Sequence, residues 1–410
     1  MTKDEWKTVA LGDVAEFVRG INFKPDDVVP TRTPGSVACM RTKNVQAELD
    51  LSDVWSVGEQ FVRREDQFLQ AGDVLVSSAN SWNLVGKCCW IPELTGRTSF
   101  GGFVSVLRPQ RAKVEPRFLF RWFSSDRIQT TLRSFGQQTT NISNLNTDRC
   151  LKLPLPLPPL AEQRRIAEVL DRAEALRAKR RAALAQLDSL TQSLFLDLFG
   201  DPATNPKGWP MKTLGDLVAE FRYGSSNKSA NQGKPALRIP NVAGGTIDLT
   251  NLKLVPVDAA EFERLRLCDG DLLFVRTNGN PDFVGRCAVF DSKAAATSGF
   301  AGNEFIFASY LIRARLAATN IASVFLREYL LGDEGRRQLR SRSKTSAGQF
   351  NINTESLGAI PVPLPPITLQ REFARRVTAV EALKTAHRAS LAELDALFAT
   401  LQHRAFRGEL

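Results

Sequence analysis

Histidine is nearly absent from this sequence of 410 residues, which contains only His387 and His403. Residues 1–386 therefore hold no histidine, which excludes a histidine-based catalyst from most of the chain. The sequence also lacks a P-loop, a dinucleotide-binding glycine fingerprint, an H-E-x-x-H motif and a nucleophile elbow. Common nucleotide-dependent and hydrolytic enzyme classes are thereby disfavoured.

C-x-x-C motifs and long apolar runs are missing as well. The six cysteines form no C-x-x-C motif, and their spacing fits neither a zinc site nor a disulfide framework. We expect buried thiols in a reducing compartment. No apolar run approaches the roughly 18 residues needed to span a bilayer, and the N-terminus is polar. The sequence therefore predicts a cytoplasmic protein that is not associated with a membrane.

Acidic residues are fewer than basic ones. The chain has 54 Lys and Arg against 44 Asp and Glu, so its formal net charge is +10 and its pI is about 9.5. A basic balance favours a polyanionic partner such as nucleic acid, although charge alone does not identify one.

An internal repeat organises the sequence. Trp6 and Trp209 are 203 positions apart, and a Leu-Gly-Asp triplet follows each of them. Further matches occur in the same order at offsets of about 200 residues. They pair residues 41–45 with 238–242, 72–75 with 270–273, 85–88 with 284–287, 144–147 with 351–354, and LPLPLPPLAEQ at 153–163 with IPVPLPPITLQ at 360–370. The chain is therefore predicted to contain two copies of one unit.

Each copy follows the same plan. Short apolar runs broken by Gly, Pro, Asn and Asp predict strands, for example at residues 73–77, 103–107 and 271–275. A helical stretch is expected near residues 115–133 and again near 319–340. A loop rich in Asn, Ser, Thr and Gln follows, and then a proline strap that is expected to stay extended and outside a central strand.

Two long helices close the copies. Residues 160–199 contain neither Pro nor Gly, and apolar residues recur every three to four positions, including Ile166, Leu170 and Leu176. The second copy has the same stripe, with Phe373, Val377 and Leu383 among its members. Since one such helix cannot bury its stripe alone, we expect the two helices to pair in antiparallel orientation and to act as a spacer of roughly 60 Å.

The predicted fold class is α+β. Two repeated mixed α/β domains are joined by two long helices that form an antiparallel coiled coil with pseudo-twofold symmetry. The predicted boundaries are 1–159 for the first domain with its strap, 160–199 for the central helix, 200–366 for the second domain with its strap, and 367–410 for the C-terminal helix.

Two catalytic motifs match only loosely. Pro281-Asp282 followed by Asp291-Ser-Lys293 fits the P-D…D-x-K pattern of metal-dependent nucleases, but the first copy lacks it. Asn280-Pro-Asp-Phe283 resembles an amino-methyltransferase motif with the wrong third residue, and no adenosylmethionine loop accompanies it. A turn followed by a strand end is the simpler interpretation of the nuclease pattern.

Polar loop residues instead favour DNA recognition. Arg pairs with guanine, Asn and Gln pair with adenine, and Lys contacts phosphates, although the same residues also fill ordinary turns. The predicted DNA-binding residues are Arg41, Lys43, Asn44, Asn80, Trp82, Lys87, Gln137, Gln138, Asn141, Asn144, Arg238, Asn241, Arg276, Asn278, Arg286, Lys344, Gln349 and Asn351.

The duplicated plan, with a PLPPLAEQ-like strap leading into a long helix, resembles the specificity subunit of type I restriction-modification systems. The resemblance covers essentially the whole chain and is strongest at residues 153–163. It implies two target-recognition domains, each reading one half of a bipartite, asymmetric site in double-stranded DNA. The second strap departs from the pattern, since Thr368-Leu-Gln370 stands where Ala-Glu-Gln is typical.

The resemblance further implies that the chain is not an enzyme. The helix pair would set the unread gap and dock DNA methyltransferase subunits, which restriction subunits that translocate DNA would join. S-adenosylmethionine, Mg²⁺ and ATP would then bind to these partners, with no cofactor or metal on this chain. A protein-binding scaffold without DNA readout and a nuclease using Asp282, Asp291 and Lys293 remain as alternatives.

Overall fold

The computed structural model describes residues 6–138, 142–317, 320–346 and 348–410. The chain divides into two compact units, one formed by Met1–Arg181 with Ala389–Leu410 and the other by Ala182–Arg388. The division lies inside the two long helices, so each unit contains a section of both. The predicted boundaries at 160 and 367 coincide instead with the first residues of those helices.

The first unit is built from short strands and helices. Its strands are β1 (Lys7–Ala10), β2 (Ala15–Arg19), β3 (Val28–Val29), β4 (Ser36–Met40), β5 (Trp55–Gly58), β6 (Val74–Ser77), β7 (Ala79–Asn80), β8 (Cys88–Trp90), β9 (Thr98–Phe100), β10 (Val104–Pro109), β11 (Gly136–Gln138), β12 (Ser143–Leu145) and β13 (Pro154–Leu157). Its helices are α1 (Pro116–Phe123), α2 (Asp126–Ser134), α3 (Thr147–Leu151) and the beginning of the long α4 (Leu160–Phe199). The helical stretch predicted at 115–133 is thus two helices, separated by Ser124 and Ser125.

The second unit repeats this order. Its strands are β14 (Met211–Thr213), β15 (Val218–Tyr223), β16 (Lys234–Leu237), β17 (Lys253–Val255), β18 (Leu272–Val275), β19 (Thr277–Asn278), β20 (Cys287–Val289), β21 (Ile306–Phe307), β22 (Leu311–Leu316), β23 (Lys344–Ser346), β24 (Gln349–Asn351) and β25 (Pro361–Pro363). Its helices are α5 (Leu214–Leu217), α6 (Ile239–Val242), α7 (Ala259–Leu265), α8 (Ser292–Ala295), α9 (Ser323–Leu331), α10 (Asp333–Arg342), α11 (Thr354–Gly358) and the long α12 (Ile367–Ala405).

The sheets of the two units correspond, except that β3 of the first unit has no counterpart strand among the described residues of the second. The central antiparallel sheet has the order β2-β10-β6-β8 in the first unit and β15-β22-β18-β20 in the second. A second sheet packs beside it, β3-β5-β4-β9 or β17-β16-β21, and contains one parallel pair in each unit. A small three-stranded sheet completes each set, β11-β12-β7 or β19-β24-β23. The predicted duplication is therefore present in three dimensions.

The central sheet of each unit separates two hydrophobic cores. In β6, Val74 and Val76 face the helical core, whereas Leu75 faces the core between the two sheets. In β18, Leu272 and Phe274 face the helices and Leu273 faces the second sheet. Side chains alternate between the faces of a strand, so a strand buried on both sides needs an uninterrupted apolar run. This explains the continuous apolar segments that the sequence shows at both places.

A buried ion pair crosses the central sheet in both units. Asp73 accepts a hydrogen bond from Arg108 at 2.7 Å, and the equivalent Asp271 accepts one from Arg315 at 2.7 Å. The Arg108 side chain is 12% exposed and that of Arg315 is 35% exposed, while both aspartates are almost fully buried. The aspartates also accept main-chain N–H groups of Gln70 and Cys268, which fixes the turn before each strand.

The proline straps lie outside the central sheets, as their alternating prolines predict. β13 pairs only with β1, and β25 pairs only with β14. One buried glutamine then anchors each strap to its domain. Gln163 donates to the carbonyl of Pro158 and accepts from the main chain of Glu115, and Gln370 donates to Pro365 and accepts from Ala322. The departure at Thr368 and Leu369 therefore leaves this internal role of the strap glutamine unchanged.

Sections of the long helices run antiparallel within each unit. Arg177 of α4 donates to Asp395 of α12 at 2.6 Å in the first unit. The equivalent pair in the second unit joins Lys384 of α12 to Asp188 of α4 at 3.0 Å. Burial alone would lower the pKa of Lys384, but hydrogen bonds to Glu381 and Asp188 raise it above its ordinary value. The same ion pair thus sets the helix register twice.

Two predicted stripe residues are not buried. Ile166, Leu170, Phe373 and Val377 lie in the cores, as expected. Leu176 and Leu383 are instead 53% and 52% exposed, so the prediction that they pack in the helix seam is wrong. Arg177 and Lys384, one position further along, take the inward place. None of the helices in the described part of the chain is long and apolar enough to cross a membrane.

Candidate nucleic-acid interface

The small sheet of the first unit gathers many of the predicted residues. Asn144 of β12 lies opposite Gln137 on one side and opposite Ala79 on the other. Ser143, its neighbour, lies opposite Gln138 and Asn80 in the same way. Strand pairing thus brings residues that are distant in sequence into one small sheet. Because side chains alternate along a strand, Asn144 and Ser143 lie on opposite faces of it, and Ser143 is almost completely buried. The predicted Asn141 lies outside the described residues.

The small sheet of the second unit does the same. Asn351 of β24 lies opposite Thr277 and Lys344, and Gln349 accepts a hydrogen bond from the Thr277 hydroxyl at 3.0 Å. Lys344 and Gln349 are exposed, and Asn278 lies in β19 at the position equivalent to Asn80. Both units therefore carry amide residues on an equivalent sheet, and the second unit adds the cationic Lys344. Amides can pair with base edges, and a lysine can contact phosphates.

The loop after β7 extends this surface in the first unit. Asn80 accepts from the main chain of Ser81 at 2.8 Å and donates to the Ser77 hydroxyl at 3.1 Å, which holds its amide in place. Trp82 projects into solvent, and Lys87 donates to Gln46 at 2.6 Å. A half-exposed tryptophan beside amides is suited to contact with a nucleic-acid base.

A cleft of about 630 Å³ is lined in part by Phe103, whose carbonyl accepts a hydrogen bond from the main chain of Ala79 in the small sheet of the first unit. Its wall contains two of the predicted cations, Arg41 and Lys43, together with Arg19, Trp55 and Phe103. The Arg41 guanidinium lies 3.7 Å from the centroid of the Trp55 ring, a cation–π contact that holds it in one orientation. Cations interleaved with aromatic rings are typical of nucleic-acid sites.

One carboxylate partly neutralises the positive charge of this cleft. Asp53 contacts Lys43 at 2.6 Å and Arg41 at 3.2 Å. The hydrogen bond from Lys43 lowers the pKa of Asp53 below its ordinary value, so this carboxylate stays ionised at neutral pH. The Lys43 side chain is exposed, whereas Arg41 is held by the ring and by the carbonyl of Asp53.

Asn44 and Asn241 have a structural role, which argues against the predicted DNA contact at both. Asn44 accepts from the main chain of Arg41 and donates to the carbonyls of Asp50 and Asp53. Asn241 accepts from Arg238 and donates to Asp248 and Thr250 in the same way. Both side chains are almost completely buried, so their amides are committed to shaping the loop that presents Arg41 or Arg238.

The predicted arginines of the second unit are partly occupied by its own backbone. Arg238 donates to the carbonyl of Asn251 at 2.6 Å, and Arg286 donates to Asp282 and Ala243. The Arg276 guanidinium lies 4.7 Å from the centroid of the Tyr223 ring. These contacts orient the cations without neutralising them, since their partners are carbonyls and a ring.

The residues that match the loose nuclease pattern have separate structural roles. Asp282 forms an ion pair with Arg340 at 2.6 Å, and Asp291 caps α8 by accepting from the main chain of Lys293 and Ala294. Asn280 accepts from the main chain of Asp282, which makes the Asn-Pro-Asp segment a turn. Within the described residues, no group of three or more His, Cys, Asp or Glu is placed to hold a metal ion. These contacts give Asp282, Asp291 and Asn280 ordinary structural roles.

Sequence reasoning missed several residues of this surface. Arg19 and Phe103 line the cleft of the first unit, and Tyr223 and Tyr310 hold the equivalent places at the end of β15 and directly before β22. An aromatic residue at the start of an apolar strand resembles a core residue in the sequence. The repeat itself contained the signal, because Phe103 and Tyr310 are separated by the same 207 positions as the matches that follow them.

Known proteins similar to this chain share one description. Residues 3–186 match the family model "Type I restriction modification DNA specificity domain". The EcoKI specificity subunit of Escherichia coli K12 is 26% identical over 99% of this chain and 89% of its own length. The StySPI specificity subunit of Salmonella potsdam gives the same values. A putative specificity subunit of Methanocaldococcus jannaschii, MjaX, is 22% identical over 93% of this chain and 88% of its own.

Two solved structures share the fold. The type I restriction-modification S subunit from M. genitalium aligns with a TM-score of 0.60 at 15% identity, covering 98% of this chain and 96% of that one. A chain from a study of complex assembly in the type I R-M system aligns with a TM-score of 0.54 at 19% identity, covering 99% and 98%. These alignments extend over both units and both long helices.

Proposed function

We propose that the chain is a DNA specificity subunit of a type I restriction-modification system and that each unit recognises one half of a bipartite DNA site. The match of residues 3–186 to that family model and the specificity subunits that are 26% identical over 99% of the chain support this proposal. The chain is a non-catalytic DNA-recognition subunit.

The repeated polar surface is the observation that carries this proposal. Each unit places a small sheet with amide side chains next to a loop that presents an oriented arginine, Arg41 or Arg238. Because the scaffold around these surfaces is duplicated, the two units are equipped to approach DNA in the same way. Because their side chains differ, for example Lys43 against Pro240, the two half-sites are expected to differ.

Affinity and specificity would come from different groups. Exposed cations such as Lys43 and Lys344 would contact phosphates, which gives affinity that is independent of sequence and falls with salt. Amides and aromatic rings of the small sheets would contact base edges, where each wrong base pair costs about 1–3 kcal/mol. Two modest sites on one chain bind far more tightly together than either does alone.

The long helices would carry the partner subunits. Leu176 on α4 and Leu383 on α12 are large, apolar and exposed at equivalent positions of the repeat, which makes them candidate contacts for partner subunits. We assign DNA methyltransferase subunits to these helices, with restriction and translocase subunits joining them. S-adenosylmethionine, Mg²⁺ and ATP would bind to the partners, and the complex would act in the cytoplasm on double-stranded DNA.

A footprint tests this function. The purified chain with its methyltransferase partner is expected to protect two separate patches on DNA that carries the site, and methylated positions mapped in host DNA would identify both half-sites. A variant with Lys43→Ala and Arg41→Ala should lose protection of one patch first. The matched control is Lys7→Ala, an exposed lysine of β1 that lies outside the cleft and the long helices.

The other outcomes are distinct. A complex that assembles but protects no DNA under any salt condition would support a protein-binding scaffold instead. Cutting of DNA by this chain alone with Mg²⁺, lost in Asp291→Ala, would support a nuclease and would contradict the proposal.

A further inference from the structure

Each unit exposes one aromatic ring at the tip of an equivalent turn. Phe103 precedes β10 and is 65% exposed, and Tyr310 precedes β22 and is 59% exposed. A large ring in solvent is unfavourable by itself, since burying an aromatic side chain releases free energy. Its occurrence at the same place in both copies, where the residue types are not identical, indicates a shared task outside the fold.

The turn that carries the ring is held rigidly. Val104 donates to the carbonyl of Gly101 at 3.0 Å, and Leu311 donates to Ala308 at 2.9 Å, which closes a tight turn in each unit. The carbonyl of Phe103 accepts from the main chain of Ser78 at 3.0 Å. The carbonyl of Tyr310 accepts from Arg276 at 2.9 Å. Because Ser78 and Arg276 directly precede β7 and β19, each ring is fixed beside the small polar sheet.

A glycine permits the neighbouring strand to approach this turn. A Cβ atom on Gly20 would lie 2.3 Å from the carbonyl oxygen of Gly101, and one on Gly224 would lie 2.2 Å from that of Phe307. Neither distance is sterically possible, so both positions require glycine. The base of the turn is also bonded to the residues before Arg41 and Arg238, since Gly101 donates to Met40 and Ala308 donates to Leu237. The ring, the arginine loop and the small sheet therefore form one connected structure.

Cationic side chains lie near both rings, three of them at Phe103 and one at Tyr310. Phe103 shares its cleft with Arg19, Arg41 and Lys43. Tyr310 follows Ser309, whose carbonyl accepts from the Arg276 guanidinium at 3.4 Å. An apolar ring surrounded by cations suits a ligand with flat apolar faces and a polyanionic backbone, which is the chemistry of nucleic-acid bases joined by phosphates. A purely apolar protein surface would not benefit from the cations.

We propose that Phe103 and Tyr310 are base-contacting, specificity-determining residues, each packing its ring against a base of one DNA half-site. This inference rests on the proposed function and extends it to residues outside the polar set. The rigid turn means that little conformational freedom is lost on binding, so the contact favours affinity. The hydroxyl of Tyr310 adds a hydrogen-bonding group that Phe103 lacks, which gives the two half-sites different preferences at the contacted position.

The test uses the complex with its methyltransferase subunits and duplexes in which each base pair of the mapped site is replaced in turn. Binding is measured by fluorescence anisotropy at fixed salt for Phe103→Ala and Tyr310→Ala, with Phe103→Tyr and Tyr310→Phe as conservative variants. Leu51→Ala and Met211→Ala are matched controls, because both remove an exposed apolar side chain from the same units. Assembly is followed by light scattering.

We expect Phe103→Ala to weaken binding to the full site roughly 5- to 150-fold, the range for loss of a base–aromatic contact. It should also abolish discrimination at one position of the first half-site and leave the second half-site unchanged, and Tyr310→Ala should do the converse. Phe103→Tyr should keep most of the affinity.

Two results overturn the inference. Alanine variants that bind within twofold of the wild type with unchanged base preferences would show that the rings do not touch bases. Variants that lose subunit assembly would assign the rings to a protein contact. If the wild-type complex itself shows no site preference, the proposed function fails rather than the assignment of the rings.

Discussion

The two units repeat the contacts that hold them together and vary the groups that they expose. The buried pairs Asp73–Arg108 and Asp271–Arg315 match, as do the strap glutamines Gln163 and Gln370. At the surface, Lys43 corresponds to Pro240 and Phe103 to Tyr310. Repetition of buried contacts with variation of exposed groups is expected when one scaffold carries two different recognition surfaces.

The helix sections differ in a second, informative way. In the first unit, Phe398 packs under the Arg177 guanidinium at 4.4 Å from the ring centroid. The equivalent residue of the second unit is Thr191, which borders a cavity of about 480 Å³ together with Glu328, Glu334 and Lys384. The hydroxyl of Thr191 is buried and finds no hydrogen-bond partner among the described residues. The second unit is therefore less well packed at this seam.

Replacing a buried aspartate of the central sheet should have the largest effect on stability. Asp73→Ala leaves the buried Arg108 without its counter-charge, so we expect a loss of about 3–5 kcal/mol in the free energy of unfolding measured with urea. Asp271→Ala should cost less, because Arg315 is more exposed than Arg108 and keeps more of its hydration.

The exposed Asp26 provides a control for this pair, since Asp26→Ala should change stability by no more than about 0.5 kcal/mol. Equal losses for Asp73→Ala and Asp271→Ala would contradict the link between burial and cost.

Replacing a strap glutamine should have the next largest effect on stability. Gln163→Leu leaves the main-chain N–H of Glu115 and the carbonyl of Pro158 unpaired, which should cost about 1–3 kcal/mol. Gln370→Leu should cost at least as much, since Gln370 also donates to the carbonyl of Asn320. Thermal unfolding monitored by circular dichroism measures both. Gln186→Leu on the exposed face of α4 is the control. If Gln163→Leu and Gln370→Leu unfold at the same temperature as this control, the hydrogen bonds of the strap glutamines contribute nothing to stability.

A smaller change should separate the units in DNA binding. Lys43→Ala should weaken binding of the assembled complex severalfold and reduce the slope of log K against log salt by about 1, because one phosphate contact is lost. The second unit has Pro240 at this place, so Pro240→Lys should raise affinity and steepen the slope. Unchanged slopes in both variants would mean that this loop lies away from the phosphates.

The smallest effect concerns the helix seam of the second unit. Thr191→Val replaces a buried hydroxyl that has no partner in the described structure with a methyl group, so we expect a gain of about 0.5–1 kcal/mol in unfolding free energy. Thr400 is the matched control, because its hydroxyl donates to the carbonyl of Ala396 and its replacement by valine should give no gain. Destabilisation by Thr191→Val would show that the hydroxyl is satisfied in solution.

Periodicity and repetition predicted most of the architecture. The offsets between matching segments identified both units, and the Leu-Pro alternation kept both straps outside the central sheets. The helix starts at Leu160 and Ile367 follow directly from the proline pairs before them. Such features depend on local chemistry, which a sequence displays directly.

The candidate site was harder to predict because it depends on which polar groups the fold uses for itself. Asn44 and Asn241 have the residue type of a base contact but serve as internal braces. Phe103 and Tyr310 have the residue type of a core position but lie in solvent. Leu176 and Leu383 fall near the apolar stripe, yet a one-position difference in helix phase turns them outward. Each distinction requires knowledge of tertiary contacts.

A domain exchange tests most directly whether each unit recognises its own half of the site. Residues 200–366 are replaced with the equivalent segment of a relative, and methylated positions are mapped in the DNA of a host that expresses the chimaera with its partner subunits. The account predicts that one half of the methylated site changes while the other half stays as it is with the natural chain. A map in which both halves change, or in which neither does, would contradict it.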